Sequence, residues 1–119
     1  MSNIILLDDD IQLRGLFALV LEEAGHTVIT ASNSKDIIDL VTENKADLII
    51  TDLVMPEHEG IEGIFAVQRG IPTPIPIIAM SAYREYLRIV ESVVAAVLLK
   101  PLQAKSLVET VDEVLRKTR

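Results

Sequence analysis

The 119-residue sequence contains no cysteine, and this absence excludes several functions at once. Without a thiol there is no disulfide framework, no cysteine nucleophile and no cysteine-ligated zinc or iron–sulfur site. The chain also lacks a long apolar run, since residues 93–99 form the longest one and a membrane span needs about 20 residues. No basic residue precedes the first apolar stretch, so no secretory signal is expected. We therefore expect a cytoplasmic domain outside any membrane.

Basic side chains are few, and the balance of charge limits the possible partners. Eighteen acidic residues against eleven basic ones give a formal net charge of −7. Such a surface repels phosphate backbones and anionic lipids, so direct binding to nucleic acid or to a membrane surface is not expected. Half of the residues are apolar, and no linker or low-complexity segment divides the chain. This composition predicts one globular domain over residues 1–119.

The apolar pattern alternates between short buried strands and amphipathic helices. The predicted strands are residues 4–7, 26–31, 47–51, 75–80 and 95–99. Apolar residues at helical spacing predict helices that include positions 13–24, 37–41, 61–69, 83–94 and 107–115. Ser34 is expected to cap the second helix, and a turn-rich stretch at 56–60 precedes the third. Five alternating strands and helices predict an α/β fold, in which a parallel sheet is covered on both faces.

Polar side chains occur where the predicted strands end. They are Asp8, Asp9, Asp52, Ser81 and Lys100. In an open parallel sheet the carboxyl ends of the strands share one edge, and ligands bind in the crevice along that edge. We therefore expect these five side chains to converge, although they are far apart in the sequence.

The expected cluster combines three carboxylates, one ammonium group and one hydroxyl, so its formal charge is −2. Two like charges about 4 Å apart repel by ~4 kcal/mol at an effective dielectric constant of about 20. Either one carboxyl group takes a proton, or a hard divalent cation lies among them. Oxygen ligands without histidine or cysteine favour Mg²⁺. A carboxylate beside a metal, a lysine and a hydroxyl is suited to accept a phosphoryl group.

Four motifs along the chain match one family in order and spacing. They are Leu7-Asp8-Asp9-Asp10, Thr51-Asp52-Leu53-Val54-Met55-Pro56 with Gly60, Met80-Ser81-Ala82, and Lys100-Pro101. Together they resemble the receiver domain of bacterial two-component response regulators, and the resemblance extends over the whole chain. It implies a doubly wound, flavodoxin-like sheet of five parallel strands in the order 2-1-3-4-5. It also implies a cis bond between Lys100 and Pro101.

The resemblance assigns roles to the acidic residues. Asp52 would accept the phosphoryl group from a phosphohistidine, carried by a sensor histidine kinase or by a histidine phosphotransfer protein of a phosphorelay. Asp9 and Asp52 would bind Mg²⁺ directly. The Val54 carbonyl would be a further ligand, and Asp8 would act mainly through water.

The same resemblance implies how a signal leaves the site. Ser81 would be the switch hydroxyl, and Lys100 would be the partner of the phosphate. A phosphoryl group adds roughly −1.5 to −2 charges, so both side chains should move toward it. This movement would repack the face made by the fourth helix, fifth strand and fifth helix, which would contact an effector protein or an output domain. The sequence ends just after the last predicted helix, so no output domain is expected within it.

One position departs from the family pattern. Receivers usually carry Tyr or Phe three residues before the lysine, where this chain has Val97. The ring that moves inward behind the switch hydroxyl is therefore missing. Activation is expected to work without it, to be weaker, or to use Tyr83 or Tyr86.

The phosphorylated switch would catalyse its own phosphorylation and dephosphorylation, but its role would be signalling. Two other functions are alternatives to it. Asp8 and Asp10 form a D-x-D pattern after a strand, as in haloacid-dehalogenase-type aspartyl-phosphate phosphatases. Such enzymes generally need a longer chain, a cap and a late acidic pair. A second alternative is a pseudo-receiver that is never phosphorylated and only binds partners. The pattern G-x-x-x-x-G-K is missing, which excludes a P-loop nucleotide site.

Three polar residues are expected to lie outside the chemistry. Asp10 is expected to be solvated or to cap the first helix, because aspartate is favoured at helix starts. His26 and His58 have no partner at ligand spacing, so each is predicted to be a surface loop residue.

Overall fold

The structure, a computed structural model, describes residues 2–54 and 60–118. The strands are β1 (Asn3–Leu7), β2 (Thr27–Ala31), β3 (Leu48–Asp52), β4 (Ile77–Ser81) and β5 (Ala96–Leu99). The helices are α1 (Ile11–Glu23), α2 (Ile37–Asn44), α3 (Gly60–Gly70), α4 (Arg84–Val90) and α5 (Ala104–Lys117). The turn predicted at 56–60 lies outside the described residues except for Gly60.

The five strands form one parallel sheet in the order β2-β1-β3-β4-β5, which confirms the predicted fold class. Leu7 at the end of β1 pairs with Thr51 of β3. Asp52 pairs with Met80, and Ser81 pairs with Leu99. This register brings the carboxyl ends of β1, β3, β4 and β5 to a single edge of the sheet.

The core consists of two layers, because the central strands are buried on both faces. The layer with α2, α3 and α4 contains the strand residues Ile5, Leu7, Ile49, Ile77 and Ala79. The layer with α1 and α5 contains Ile4, Leu6, Leu48, Ile50, Ile78 and Met80. Successive side chains of a strand point to opposite faces, so an unbroken apolar run serves both layers. The rigid centre of the sheet therefore supports the edge at which the polar residues lie.

Two strands extend one residue further than the apolar pattern predicts. Asp52 is the last residue of β3, and Ser81 is the last residue of β4. The hydrogen-bonded ladder continues past the last apolar residue, since the Leu53 amide still donates to the Met80 carbonyl over 2.9 Å. The backbone of both polar residues is therefore held by the sheet rather than by a loop.

Two predictions about local structure are wrong. Ser34 does not cap α2, because the N-cap is Asp36 and Ser34 is instead buried where α3 passes close to it. A Cβ atom added to Gly63 of α3 would lie 2.6 Å from the Ser34 Cβ atom, which shows how near the two segments are. The fourth helix ends at Val90 instead of continuing to position 94, since the Ala95 amide donates to the Ile77 carbonyl and leads the chain into β5.

His26 is not a surface residue, contrary to the prediction. Gly25 takes φ = +99° directly after α1, a conformation that glycine adopts readily. The chain therefore turns back toward the end of α1, where the His26 amide donates to the Leu21 carbonyl. The imidazole is only 8% exposed, and its Nε2 atom lies 3.8 Å from Asp112 Oδ1 of α5. His58, the other predicted surface histidine, lies outside the described residues. Among the helices that the structure describes, none is both long and apolar enough to cross a membrane.

Candidate functional site

Three carboxylates meet at the carboxyl edge of the sheet. Asp8 and Asp9 follow β1, and Asp52 ends β3, the strand beside it. One carboxylate oxygen from each residue lies within 4.8 Å of those of the other two. Asp8 is fully buried and Asp52 is 7% exposed, whereas Asp9 is open to solvent. A divalent cation at this position would find hard oxygen donors from two strands, which is the donor chemistry that Mg²⁺ prefers.

Lys100 is the cation of the cluster. It follows β5, and its Nζ atom donates to Asp8 Oδ2 over 2.8 Å and to Asp52 Oδ2 over 3.1 Å. The lysine side chain is only 12% exposed, so these ion pairs are largely shielded from water. Its amide donates to the Ser81 carbonyl over 2.8 Å, and the Lys100–Pro101 bond is cis, as the resemblance implies.

Burial and ion pairing act in opposite directions on the pKa values of Asp52 and Lys100. Burial raises the pKa of Asp52, even though the Lys100 hydrogen bond and charge and the Val54 amide all lower it. Burial lowers the pKa of Lys100, but its hydrogen bonds to Asp8 and Asp52 outweigh burial and raise it overall. The lysine is thus stabilised in its charged form while the Asp52 carboxylate remains undercompensated.

Ser81 lies at the same edge and is fully buried. Its Oγ atom accepts a hydrogen bond from the Tyr83 amide over 3.0 Å. Tyr83 is the N-cap residue of α4, and its ring packs edge-on against Tyr86 with centroids 5.7 Å apart. The hydroxyl is therefore connected directly to the start of α4.

The third aspartate of the first motif has a structural task. Asp10 Oδ1 accepts hydrogen bonds from the amides of Gln12 and Leu13, so Asp10 caps α1, as predicted. The Asp10 amide donates to Asp8 Oδ1 over 3.0 Å. These contacts use Asp10 to anchor the loop, which weakens the D-x-D interpretation.

Val54 lies two residues after Asp52, and its amide donates to Asp52 Oδ1 over 3.2 Å. Its side chain is exposed. The role of the Val54 carbonyl as a metal ligand stays a prediction.

Three residues near the site were not identified as site residues from the sequence. The Arg14 guanidinium donates to the Asp8 carbonyl over 2.9 Å. Thr51 Oγ1 donates to the Asp52 carbonyl over 2.9 Å. Gly60 approaches that same carbonyl so closely that an added Cβ atom would lie 1.9 Å from the oxygen. Thr51 and Gly60 both belong to a matching motif, whereas no pattern separates Arg14 from ordinary helix residues.

Replacing Gly60 with alanine is expected to destabilise the domain. The new methyl group would overlap the Asp52 carbonyl and approach the Leu53 Cα atom to 2.9 Å, and both are backbone atoms that cannot move alone. Inserting a carbon into a packed site typically lowers the free energy of unfolding by about 1–3 kcal/mol. Chemical denaturation of the purified variant measures this loss.

Gly15 provides the matched control. An added Cβ atom at this helical position would meet nothing within 4 Å. Gly15→Ala is therefore expected to stabilise α1 by about 0.5–1 kcal/mol through helix propensity alone. A loss at Gly15 equal to that at Gly60 would contradict the close approach to Asp52.

Known proteins resemble this chain along almost its whole length. The sequence profile of the response regulator receiver domain matches residues 4–112. The transcriptional regulatory protein AfsQ1 of Streptomyces coelicolor is 31% identical over 120 residues, which cover 98% of this chain and 52% of AfsQ1. The phosphate regulon transcriptional regulatory protein PhoB of Pseudomonas aeruginosa is 29% identical over 121 residues, which cover 98% of this chain and 53% of PhoB. The chain thus spans about half the length of these two relatives.

A solved structure agrees with the fold and with the sequence relationship. The response regulator protein TrrA of Thermotoga maritima, in complex with Mg²⁺ and BeF, superposes with a TM-score of 0.86 at 26% identity. The match covers 96% of this chain and 99% of that protein.

Proposed function

The chain belongs to the response regulator receiver domain family, and on that premise we propose that it is a switch controlled by phosphorylation of Asp52. The observation that carries the proposal is the position of Lys100, whose Nζ atom bonds both Asp8 and Asp52 within the acidic cluster. This arrangement supplies a nucleophilic carboxylate together with a cation for the phosphoryl oxygens.

Asp52 is better suited than its neighbours to accept the phosphoryl group. Asp8 also contacts Lys100, but it is fully buried and has no exposed surface for a phosphoryl donor to approach. Asp9 is exposed, and among the described residues it forms no ion pair with a cationic side chain, unlike Asp8 and Asp52. Asp52 combines partial access to solvent with the Lys100 contact and with a backbone amide on its second oxygen. Both oxygens are thereby oriented while the edge facing solvent remains open to a donor.

The donor set fits Mg²⁺, and the TrrA structure in complex with Mg²⁺ supports the same ion here. Asp9 and Asp52 would hold it directly, the Val54 carbonyl would be a further ligand, and Asp8 would act mainly through water. When bound, the ion supplies positive charge that offsets the carboxylates and stabilises charge on the phosphoryl oxygens.

The proposed switch begins when Lys100 and Ser81 exchange their present partners for phosphoryl oxygens. Ser81 Oγ accepts a hydrogen bond from the amide of Tyr83, the N-cap residue of α4. If the hydroxyl turns toward Asp52, this hydrogen bond breaks and Tyr83 is free to move. Val97 pairs with Ala79 in the sheet and offers no ring to follow the hydroxyl inward. We therefore assign the coupling to Tyr83 at the start of α4, and the face formed by α4, β5 and α5 would repack.

The partners that we propose follow from the direction of the phosphoryl transfer. A sensor histidine kinase or a histidine phosphotransfer protein would supply the phosphoryl group in the cytoplasm. An effector, either a separate protein or an output domain, would bind the repacked face. AfsQ1 and PhoB are named as transcriptional regulatory proteins, which supports control of transcription as the output.

Treatment with acetyl phosphate and Mg²⁺ tests the proposal. The intact protein should gain the mass of one phosphoryl group, and a chelator should prevent the gain. No gain in the presence of Mg²⁺ would favour the pseudo-receiver alternative. Sustained hydrolysis of a generic phosphomonoester would favour the phosphatase alternative.

A further inference from the structure

The peptide group between Asp8 and Asp9 is held by a side chain from outside the loop. The Nη1 atom of Arg14 donates to the Asp8 carbonyl over 2.9 Å. The backbone of Arg14 is held in the first turn of α1, because its amide donates to the carbonyl of Asp10, the N-cap residue. The arginine thus fixes the plane of the one peptide that joins two carboxylates of the cluster.

The Asp8 side chain does not depend on this contact. Its Oδ1 atom accepts from the Asp10 amide, its Oδ2 atom accepts from Lys100, and the Asp8 amide donates to the Ala31 carbonyl. The only other polar group of Asp8 is the carbonyl bound by Arg14. The hydrogen bond of Arg14 therefore acts on the acidic cluster through the Asp8–Asp9 peptide and not through the Asp8 carboxylate.

Asp9 is the carboxylate that lacks support of its own. It is exposed, and across residues 2–54 and 60–118 no hydrogen bond or ion pair holds its side chain. Its position therefore depends on its own rotamer and on the backbone that carries it, and Arg14 holds the peptide before that backbone. We infer that Arg14 is a positioning residue that aims the Asp9 carboxylate at the Mg²⁺ site.

The inference rests on the proposed function, because it assigns Arg14 a role toward the ion of that site. Residues that orient metal ligands typically change metal affinity by about 10–100-fold when they are replaced. The charge of the guanidinium acts in the opposite direction, since a nearby positive charge repels a cation. Removing Arg14 therefore weakens Mg²⁺ binding if positioning dominates and strengthens it if only the charge matters.

Two substitutions separate these effects. Arg14→Leu removes both the charge and the hydrogen bond. Arg14→Lys keeps the charge, but a lysine ends short of the Nη1 position and loses the hydrogen bond. Arg116→Leu is the matched control, because Arg116 is exposed in the last turn of α5. This turn lies far from the acidic cluster. Residues next to Arg116, namely Leu115 and Thr118, line a cavity with Asp47 and Pro76 at the opposite edge of the sheet.

The experiment measures Mg²⁺ affinity of the intact chain by isothermal titration calorimetry, with thermal unfolding in a chelator as a separate readout of stability. Both Arg14 variants are expected to bind Mg²⁺ about 10-fold or more weakly than the natural sequence, at a temperature where all variants are folded. Arg116→Leu is expected to bind normally. A loss of unfolding temperature alone, with unchanged affinity, would assign Arg14 to fold stability and overturn the inference.

The remaining outcomes are equally decisive. If Arg14→Lys binds Mg²⁺ with normal affinity and Arg14→Leu binds it more tightly, only the charge of Arg14 matters. That result would overturn the inference that Arg14 positions Asp9. If Arg14→Leu does not fold, the affinity of Arg14→Lys decides in the same way. Absence of Mg²⁺ binding by the natural sequence would overturn the proposed function and the inference with it, whereas normal binding in all variants overturns the inference alone.

Discussion

Replacing Asp52 with asparagine is expected to abolish phosphoryl uptake from acetyl phosphate and to make the metal-free domain more stable. The amide has nearly the same shape but is not a nucleophile, so the rate should fall by at least ~10³-fold. Intact mass after treatment with acetyl phosphate and Mg²⁺ measures this loss. Asp39→Asn, on the exposed face of α2, is the control and should take up the phosphoryl group normally.

The gain in stability has an electrostatic cause. Burial raises the pKa of Asp52 above its value in the unfolded chain, so its ionised form is less favourable in the folded protein. Asparagine removes one carboxylate and leaves Lys100 paired with Asp8 alone. We expect Asp52→Asn to unfold at a higher temperature than the natural sequence when both are measured in a chelator.

The pH dependence gives this prediction a definite sign. A carboxyl group whose folded pKa lies above its unfolded pKa loses stabilising power as the pH rises through the folded value. Between acidic and neutral pH, the natural sequence should therefore lose stability relative to Asp52→Asn in a chelator. A difference that stays constant over that range, or that favours the natural sequence near neutral pH, would contradict the origin assigned to the pKa.

The sheet could be predicted from the sequence because its central strands need no partner to be recognised. Residues 4–7 and 48–50 are apolar without interruption, which is typical of strands buried on both faces, and the structure buries them there. The polar residues that follow such strands must lie at one edge once the sheet is parallel. The strand order came from the resemblance, since no apolar pattern specifies which strands are neighbours.

What could not be predicted depends on contacts between distant segments. Arg14 has the same local pattern as any polar residue in an amphipathic helix, and its bond to the Asp8 carbonyl requires the turn made by Asp10. Ser34 looks like a helix cap, but its burial beside Gly63 depends on how α3 crosses the sheet. His26 looks like a surface loop residue, but its imidazole is largely buried and lies near Asp112 of the distant helix α5. In each case tertiary packing overrides a local signal.

Lys100→Met is expected to produce the largest loss of stability. Methionine matches the length of the lysine stem but removes the charge that compensates Asp8 and Asp52. Asp8 is completely buried and the Asp52 side chain is 10% exposed, so neither carboxylate can regain full hydration. Removing one partner of a buried ion pair typically lowers the free energy of unfolding by about 3–5 kcal/mol. That is a large part of the ~5–15 kcal/mol that stabilises an ordinary domain.

Mg²⁺ should stabilise Lys100→Met more than the natural sequence, because removing the ammonium charge makes the acidic cluster bind a cation more tightly. A ligand at 100 times its dissociation constant stabilises the folded state by about 2.7 kcal/mol. Chemical denaturation in a chelator and in excess Mg²⁺ measures both effects. Lowering the pH in the chelator should also narrow the difference from the natural sequence, since protonation removes the uncompensated charge.

Lys117→Met is the matched control for Lys100→Met. Lys117 Nζ lies 2.9 Å from Glu113 Oε1, a separation like those at Lys100, but the two side chains are 71% and 55% exposed. Exposed ion pairs contribute little, so this variant should unfold nearly as the natural sequence does, with or without Mg²⁺. Equal losses in the two variants, or a loss at Lys100 that Mg²⁺ leaves unchanged, would contradict a cluster whose charge is balanced jointly by one lysine and one metal ion.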